Sequence, residues 1–267
     1  MLRDRLAGRQ HSAFFLALGG REPARRYMIA TTGRAGSTLL CSRIADCGGL
    51  GFPNEFMNES YVAEFDRLFP NPSLADYERF ISRSFASENG VFGVKTDWWR
   101  FFIARDLDFC RSFYEPLDLV VWLKREDFVA QAVSLALANA TQVWHVRDDE
   151  GDGGLEARHQ EVEYDGDAII LHARNILNQE YHWRRFFETS GVPRLDLTYE
   201  EVARDVDGAV SAIAQALEVS ASPQNSLPDV RKARSGVARS WRERFEAERP
   251  DFVQFWREHR GRITASG

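Results

Sequence analysis

A glycine-broken turn near the start of the chain contains an arginine and two hydroxyl side chains. In the stretch YMIATTGRAGSTLL, Arg34 lies between Gly33 and Gly36, and Ser37 and Thr38 follow directly. The free N–H groups and partial positive charge of a helix N-terminus attract anions, and arginine adds a permanently charged fork suited to phosphate or sulfate oxygens. The pattern therefore indicates an anion site. The alternative is a strand–turn–helix connection that binds no ligand.

The missing lysine narrows the kind of anion. An ATP-binding loop of the Walker A type requires Gly-Lys-Ser/Thr, and its lysine reaches the β- and γ-phosphates. Here Ser37 follows Gly36 directly, so no lysine occupies that position. Magnesium-linked hydrolysis of a nucleoside triphosphate is therefore disfavoured.

A second arginine and serine occur in the stretch WLKREDFVAQAVS. Arg125 ends a predicted strand, and Ser134 lies on the helix that follows. Because open α/β sheets bind ligands at the carboxyl ends of their strands, both side chains are candidates to contact one phosphate. The alternative for Arg125 is an ordinary surface charge.

A third motif, LDLTYEEV, closes a later strand with Tyr199, Glu200 and Glu201. Acidic residues in the first turn of a helix are stabilising, so simple helix capping also explains this pattern.

Alternating strands and helices must position these residues. Such alternation favours an α/β fold with a mainly parallel central sheet flanked by helices. The acidic, glycine-rich segment 147–158 is predicted to be a mobile loop or insertion. The predicted strands are 27–31, 90–97, 118–125 and 192–202, and the predicted helices are 37–47, 61–87, 126–144, 167–190 and 208–219.

Composition limits the function classes. The chain has 267 residues, 44% of them hydrophobic, and a formal net charge of −6, which argues against a general nucleic-acid binder. Its three cysteines form no CxxC pair, and neither they nor the six histidines suggest a metal site. The apolar run AFFLALGG is far shorter than the ~20 residues of a membrane span, so we expect a cytoplasmic protein without an integral membrane segment.

Taken together, the motifs resemble those of the PAPS-dependent bacterial carbohydrate sulfotransferases, of the trehalose 2-sulfotransferase and nodulation-factor sulfotransferase type. The likeness starts at Tyr27 and runs through most of the chain. It predicts a 1–26 N-terminal extension and a single 27–267 domain with the P-loop-type sulfotransferase fold. The segments that match are TTGRAGSTLLCSRIADCGGLGFPNEFMN, GVFGVKTDWW, LKREDFVAQAVSLALANATQVW and RKARSGVARSWRERF.

The resemblance implies 3′-phosphoadenosine 5′-phosphosulfate (PAPS) as the sulfuryl donor, with PAP as product and no metal. Arg125 and Ser134 are then expected to bind the 3′-phosphate, and Arg239 to close over the phosphates, with a solvated cationic face as its alternative. A family serine is replaced by Ala35 here. The residues expected around the 5′-phosphosulfate are Gly33, Arg34, Ala35, Gly36, Ser37, Thr38 and Leu39.

The resemblance also assigns the general base to Glu55, in the turn FPNEF. A hydroxyl that attacks sulfur loses its proton, and a carboxylate within hydrogen-bond reach is a natural acceptor for it. Lys95 is the candidate second cation beside Arg34, and a lysine in solvent at the end of a strand is its alternative. Trp98 and His145 are candidate substrate contacts, with core packing and a structural role as their alternatives.

We therefore expect a sulfotransferase that moves a sulfuryl group from PAPS to a hydroxyl of a carbohydrate or glycolipid. The resemblance further implies a homodimer. A P-loop kinase of a small metabolite and a non-catalytic nucleotide-binding protein of the same fold are the rival hypotheses.

Overall fold

Four parallel strands form the central sheet in the computed structural model, which describes residues 22–69, 72–144, 151–221 and 235–264. The strand order is β2-β1-β3-β4, and β1 pairs with both β2 and β3. The predicted α/β fold with a mainly parallel sheet is confirmed. The strands are β1 (Arg25–Thr31), β2 (Val91–Asp97), β3 (Leu119–Lys124) and β4 (Arg194–Thr198).

The central strands are buried on both faces, which explains why their sequences are continuous apolar runs and not alternating apolar and polar residues. All but the last residue of β2 and of β3 are buried, as are the last five residues of β1. Parallel sheets covered by helices on both faces require such continuous runs. At the edge of the sheet, β4 is short and buries only Leu197.

The described helices lie between and after the strands, in the alternating order that the sequence predicts. They are α1 (Ser37–Asp46), α2 (Glu59–Leu68), α3 (Leu74–Ser84), α4 (Trp98–Asp106), α5 (Phe128–Thr141), α6 (Gly151–Gln160), α7 (Gly166–Ser190), α8 (Tyr199–Arg204), α9 (Val206–Ala216), α10 (Gly236–Glu248) and α11 (Pro250–Thr264). None of these helices is long and apolar enough to cross a membrane.

The single helix predicted for residues 61–87 is wrong, because the segment forms two helices, α2 and α3. A new helix begins after Ser73, whose hydroxyl accepts a hydrogen bond from the Asp76 N–H at 3.1 Å. The Asp76 carboxylate in turn accepts one from the Ser73 N–H at 2.8 Å. This reciprocal capping box defines a helix start within the apolar periodicity.

The loop predicted for residues 147–158 is wrong from residue 151 onward, where α6 begins. Residues 145–150 lie outside the described part of the chain. The Glu156 carboxylate of α6 accepts hydrogen bonds from the N–H groups of Gly236 at 2.8 Å and Val237 at 3.3 Å. These contacts join α6 to the first turn of α10, a distant pairing that local composition does not reveal.

Two compact units divide the described residues. The first contains the sheet and comprises 22–31, 36–69, 72–124 and 190–221, and the second comprises 32–35, 125–144, 151–189 and 235–264. The first buries a core of β1, β3, α1 and α9 side chains. The second buries one of α5, α7, α10 and α11 side chains. A single domain over 27–267 stays a prediction, and residues 1–21 lie outside the description.

Substitution of Ser73 by alanine tests the capping box. We expect a loss of about 1–2 kcal/mol in the free energy of unfolding, since the change removes a buried cap. Urea unfolding monitored by circular dichroism measures it. The control is Ser211→Ala on the exposed face of α9, which should change the free energy by less than about 0.5 kcal/mol. Equal effects of the two variants would show that the box does not stabilise α3.

Candidate functional site

The turn between β1 and α1 contains two residues with left-handed backbone geometry. Arg34 has φ 62° and Gly36 has φ 84°. Glycine adopts this conformation at little cost, whereas for a residue with a β-carbon the left-handed conformation costs ~1–2 kcal/mol. An arginine in this conformation strains the backbone, and such strain is often found at functional sites.

Gly36 is required by space as well as by backbone geometry. A β-carbon at this position would approach the Tyr199 ring, lying 2.9 Å from Cε2. The Tyr199 ring, which follows β4, therefore lies against Gly36. The capping alternative proposed for LDLTYEEV is also confirmed, because Thr198 and Glu201 form a capping box at the start of α8.

The N-terminus of α1 differs in its capping from those of several other described helices. Gly36 is its N-cap residue, and within the described chain no side chain caps α1 and no acidic residue lies in its first turn. By contrast, Asn58, Ser73 and Asp97 cap their helices with side-chain oxygens. The α1 N–H groups thus keep the partial positive charge that binds phosphate or sulfate. Ser37 is half-buried and Thr38 exposed beside them.

The second unit brings Arg34, predicted to contact the 5′-phosphosulfate, close to Arg125 and Ser134, predicted to bind the 3′-phosphate. The Arg34 guanidinium donates from Nε to Ser134 Oγ at 3.0 Å and from Nη1 to the Trp144 carbonyl at 2.5 Å. Arg125 Nη1 donates to the Arg34 carbonyl at 3.5 Å. Two guanidinium groups and a hydroxyl therefore lie at the turn that precedes α1.

Gln131 is a site residue that the sequence interpretation missed. Its side chain is fully buried, and Nε2 donates to Thr32 Oγ1 and to the Gly33 carbonyl, both at 2.8 Å. It lies three positions before Ser134, so the two side chains share one face of α5. Gln131 thus connects α5 to the turn. It lies in the stretch WLKREDFVAQAVS, in which the sequence analysis singled out only Arg125 and Ser134.

In the first unit, Glu55 forms an ion pair with Lys95. Lys95 Nζ lies 3.1 Å from Glu55 Oε1. The turn FPNEF lies against β2, and this places Glu55 near Lys95. Asn54 of the turn forms a parallel bridge with Val94, and the Asn54 carbonyl accepts a hydrogen bond from the Lys95 N–H at 3.0 Å. Lys95 is only 6% exposed, so the alternative of a solvated lysine is wrong.

Arg100 is a second cation beside Glu55 that the sequence interpretation did not single out. Its Nη1 lies 4.0 Å from Glu55 Oε2 and forms a salt bridge with Asp97. The Asp97 carboxylate also caps α4 by accepting from the Arg100 N–H at 3.0 Å. The Glu55 carboxylate is therefore flanked by an ammonium and a guanidinium.

The electrostatics of Cys41 connect this ion pair with α1. Burial raises the pKa of the Cys41 thiol to about 12, the Lys95 charge opposes the rise, and the Glu55 charge adds to it. Cys41 lies one turn inside α1, so the charges of Lys95 and Glu55 both act on a side chain of that helix.

The remaining predicted site residues are Arg239, Trp98 and His145. Arg239 is exposed on α10. Trp98 is 8% exposed and packs on Phe101, as its core alternative requires. His145 lies outside the described residues. Across the described ranges, no group of three or more histidine, cysteine or acidic side chains lies close enough together to bind a metal ion.

Comparison with known proteins identifies relatives over most of the chain. The model of the family Stf0 sulphotransferase matches residues 26–101 and 104–248. A trehalose 2-sulfotransferase of Mycobacterium tuberculosis is 26% identical over 265 residues, which span 85% of this chain and 96% of the relative. One of Mycolicibacterium smegmatis is 26% identical over 231 residues, which span 72% of this chain and 83% of the relative.

A solved structure shows a distant likeness. The sulfotransferase from Alicyclobacillus acidocaldarius aligns with a TM-score of 0.45 and 14% identity, over 88% of this chain and 96% of its own.

Substitutions of Arg34 separate its charge from its backbone strain. We expect Arg34→Gly to be more stable than Arg34→Ala by ~1 kcal/mol, because only glycine relieves the left-handed conformation. Both variants should lose most of the thermal stabilisation that inorganic phosphate gives the unaltered protein. Calorimetric melting with and without phosphate measures both effects. Retained stabilisation by phosphate in both variants would exclude Arg34 from the anion site.

Proposed function

The chain belongs to the Stf0 sulphotransferase family, and on that premise we propose that it sulfates a hydroxyl of a carbohydrate or glycolipid with PAPS as donor. The observation that carries the proposal is the Glu55–Lys95 ion pair, in which Lys95 Nζ lies 3.1 Å from Glu55 Oε1. It supplies a carboxylate that can act as a base and a buried cation. The relatives named trehalose 2-sulfotransferase support a carbohydrate as acceptor.

Residues in or near the β1–α1 turn are the proposed ligands of the donor's phosphate groups. The open N–H groups of α1 and the Ser37 and Thr38 hydroxyls would bind the 5′-phosphosulfate. Arg125 and Ser134 would bind the 3′-phosphate, each already in contact with Arg34. Arg34 would supply positive charge where the leaving phosphate becomes more negative.

Proton removal falls to Glu55 in this scheme. The bound donor supplies an activated sulfuryl group, whose sulfur–oxygen bond to the 5′-phosphate breaks as the bond to the acceptor oxygen forms. Glu55 accepts the proton that the acceptor hydroxyl loses in that step. Lys95 and Arg100, at 3.1 and 4.0 Å from its two oxygens, orient the carboxylate. Lys95 can also face the sulfuryl oxygens.

Binding and turnover experiments test the proposal directly. Isothermal titration calorimetry with PAP should show a single site, and sulfur-labelled PAPS with a panel of saccharides should yield a sulfated sugar by mass spectrometry. ATP with magnesium serves as the control for kinase activity. Absence of PAP binding would refute the donor assignment, whereas PAP binding without any sulfated saccharide would refute the acceptor class.

Glu55→Gln tests the base. Glutamine keeps the shape of the side chain and can still accept from Lys95, but it cannot take a proton. We expect kcat to fall by ~10²–10⁴ while the Kd for PAP stays within about twofold. The matched control is Glu59→Gln, an exposed carboxylate at the start of α2, which should be fully active. Activity that survives Glu55→Gln assigns the base elsewhere.

A double-mutant cycle distinguishes two roles for Lys95. If Lys95 acts only by orienting Glu55, then Lys95→Met should lower kcat, and Glu55→Gln with Lys95→Met should be no slower than Glu55→Gln alone within about threefold. If Lys95 also stabilises the sulfuryl oxygens, the two losses should multiply. Steady-state kinetics of the four proteins at saturating donor give the answer.

A further inference from the structure

Arg260 and Glu180 form an ion pair inside the second unit. Arg260 lies on α11 with 10% of its side chain exposed, and Glu180 lies on α7 fully buried. The guanidinium donates from Nε to Glu180 Oε2 at 2.9 Å and from Nη2 to Oε1 at 2.7 Å. This two-bond arrangement satisfies both carboxylate oxygens and sets the orientation of the arginine.

The same guanidinium also bonds to the backbone at the end of β3. Arg260 Nη1 donates to the Glu126 carbonyl at 2.9 Å, and Nη2 donates to the Arg125 carbonyl. These two carbonyls belong to the short turn between β3 and α5. One side chain of α11 therefore fixes the backbone of the residue whose own guanidinium reaches the Arg34 carbonyl.

Stability alone explains this arrangement poorly. A buried ion pair stabilises a fold little, because the loss of hydration offsets most of the attraction, and an apolar pair of similar volume often does as well. What the guanidinium adds here is a pair of hydrogen bonds to successive carbonyls of one turn. An apolar pair would leave those carbonyls without these donors.

A second contact of the same turn is more exposed. Arg242 of α10 bonds to Asp127 at 2.7 Å, and Asp127 caps α5 by accepting from the Ala130 N–H at 3.1 Å. The Arg242 side chain is 38% exposed, so its contribution is expected to be small. Of these two contacts, the buried one with Arg260 is therefore expected to contribute more to holding the turn in place.

We propose that Arg260 and Glu180 are positioning residues for donor binding, acting through the backbone of Arg125. The inference rests on the proposed function, since Arg125 is there a ligand of the donor's 3′-phosphate. Glu180 orients the guanidinium, the guanidinium fixes two carbonyls, and the fixed turn presents the Arg125 side chain. Prior placement of a binding group lowers the entropy lost when a ligand binds, so the pair raises affinity without touching the donor.

The neutral double variant Arg260→Met with Glu180→Met tests the pair, since it removes both charges and leaves neither one buried alone. Its control is Arg257→Gln on the same helix, where the side chain is 65% exposed. We expect the double variant to bind PAP about tenfold more weakly, with a modest fall in melting temperature because two carbonyls lose their donors, and the control to match the unaltered protein. Amide hydrogen exchange across residues 125–130 should be faster only in the double variant.

A cycle with Arg125→Ala separates positioning from general stability. In that background the Met pair should weaken PAP binding no further, because the group that it positions is gone. A second tenfold loss there would overturn the proposal, as would unchanged affinity and exchange in the double variant itself. If that variant does not fold, Arg260→Lys takes its place, since lysine keeps the charge but lacks the fork for four simultaneous bonds.

Amide hydrogen exchange also tests the positioning role of Arg260 and Glu180 independently of the proposed PAPS-dependent function. If the unaltered protein fails to bind PAP, the proposed donor is wrong, and exchange in the double variant still decides whether the pair fixes the turn. Unchanged exchange then refutes the pair, and faster exchange limited to residues 125–130 supports it.

Discussion

Parallel pairing of β1 with β2 on one side and with β3 on the other is the constraint on which the first unit depends. Parallel strands deliver their carboxyl ends to the same edge of the sheet. Thr31 is level with Asp97 and with Leu123 in the two pairings, so the turn after β1 starts beside the end of β2. Lys95 owes its place near that edge to this register.

The charged residues that we propose for the reaction differ in burial and in partners. Lys95 is almost fully buried against Glu55, so its position is set by the sheet and by the FPNEF turn. Arg34 is fixed by Ser134 and the Trp144 carbonyl, and Arg125 by the Arg34 carbonyl. Side chains oriented in advance lose less entropy on binding and stabilise developing charge without reorganisation.

Local sequence predicted most of the elements that supply this site. The apolar runs gave the four strands, and the glycine-broken turn gave the start of α1 at Ser37. The two wrong assignments have physical causes. Ser73 starts a new helix within one apolar periodicity, and α6 is held by Glu156 against the distant α10. Apolar periodicity alone reveals neither a capping box nor a long-range contact.

The sequence by itself determined the family, the parallel α/β fold and the candidate residues Arg34, Glu55 and Arg125, because residue type and order along the chain specify them. Only the tertiary structure decided which side chains meet. The burial of Lys95 against Glu55 depends on a bridge between a loop and β2, and the contact of Arg260 with the Arg125 carbonyl joins residues far apart in the chain. Side-chain partners of this kind are set by packing between elements, which local patterns do not encode.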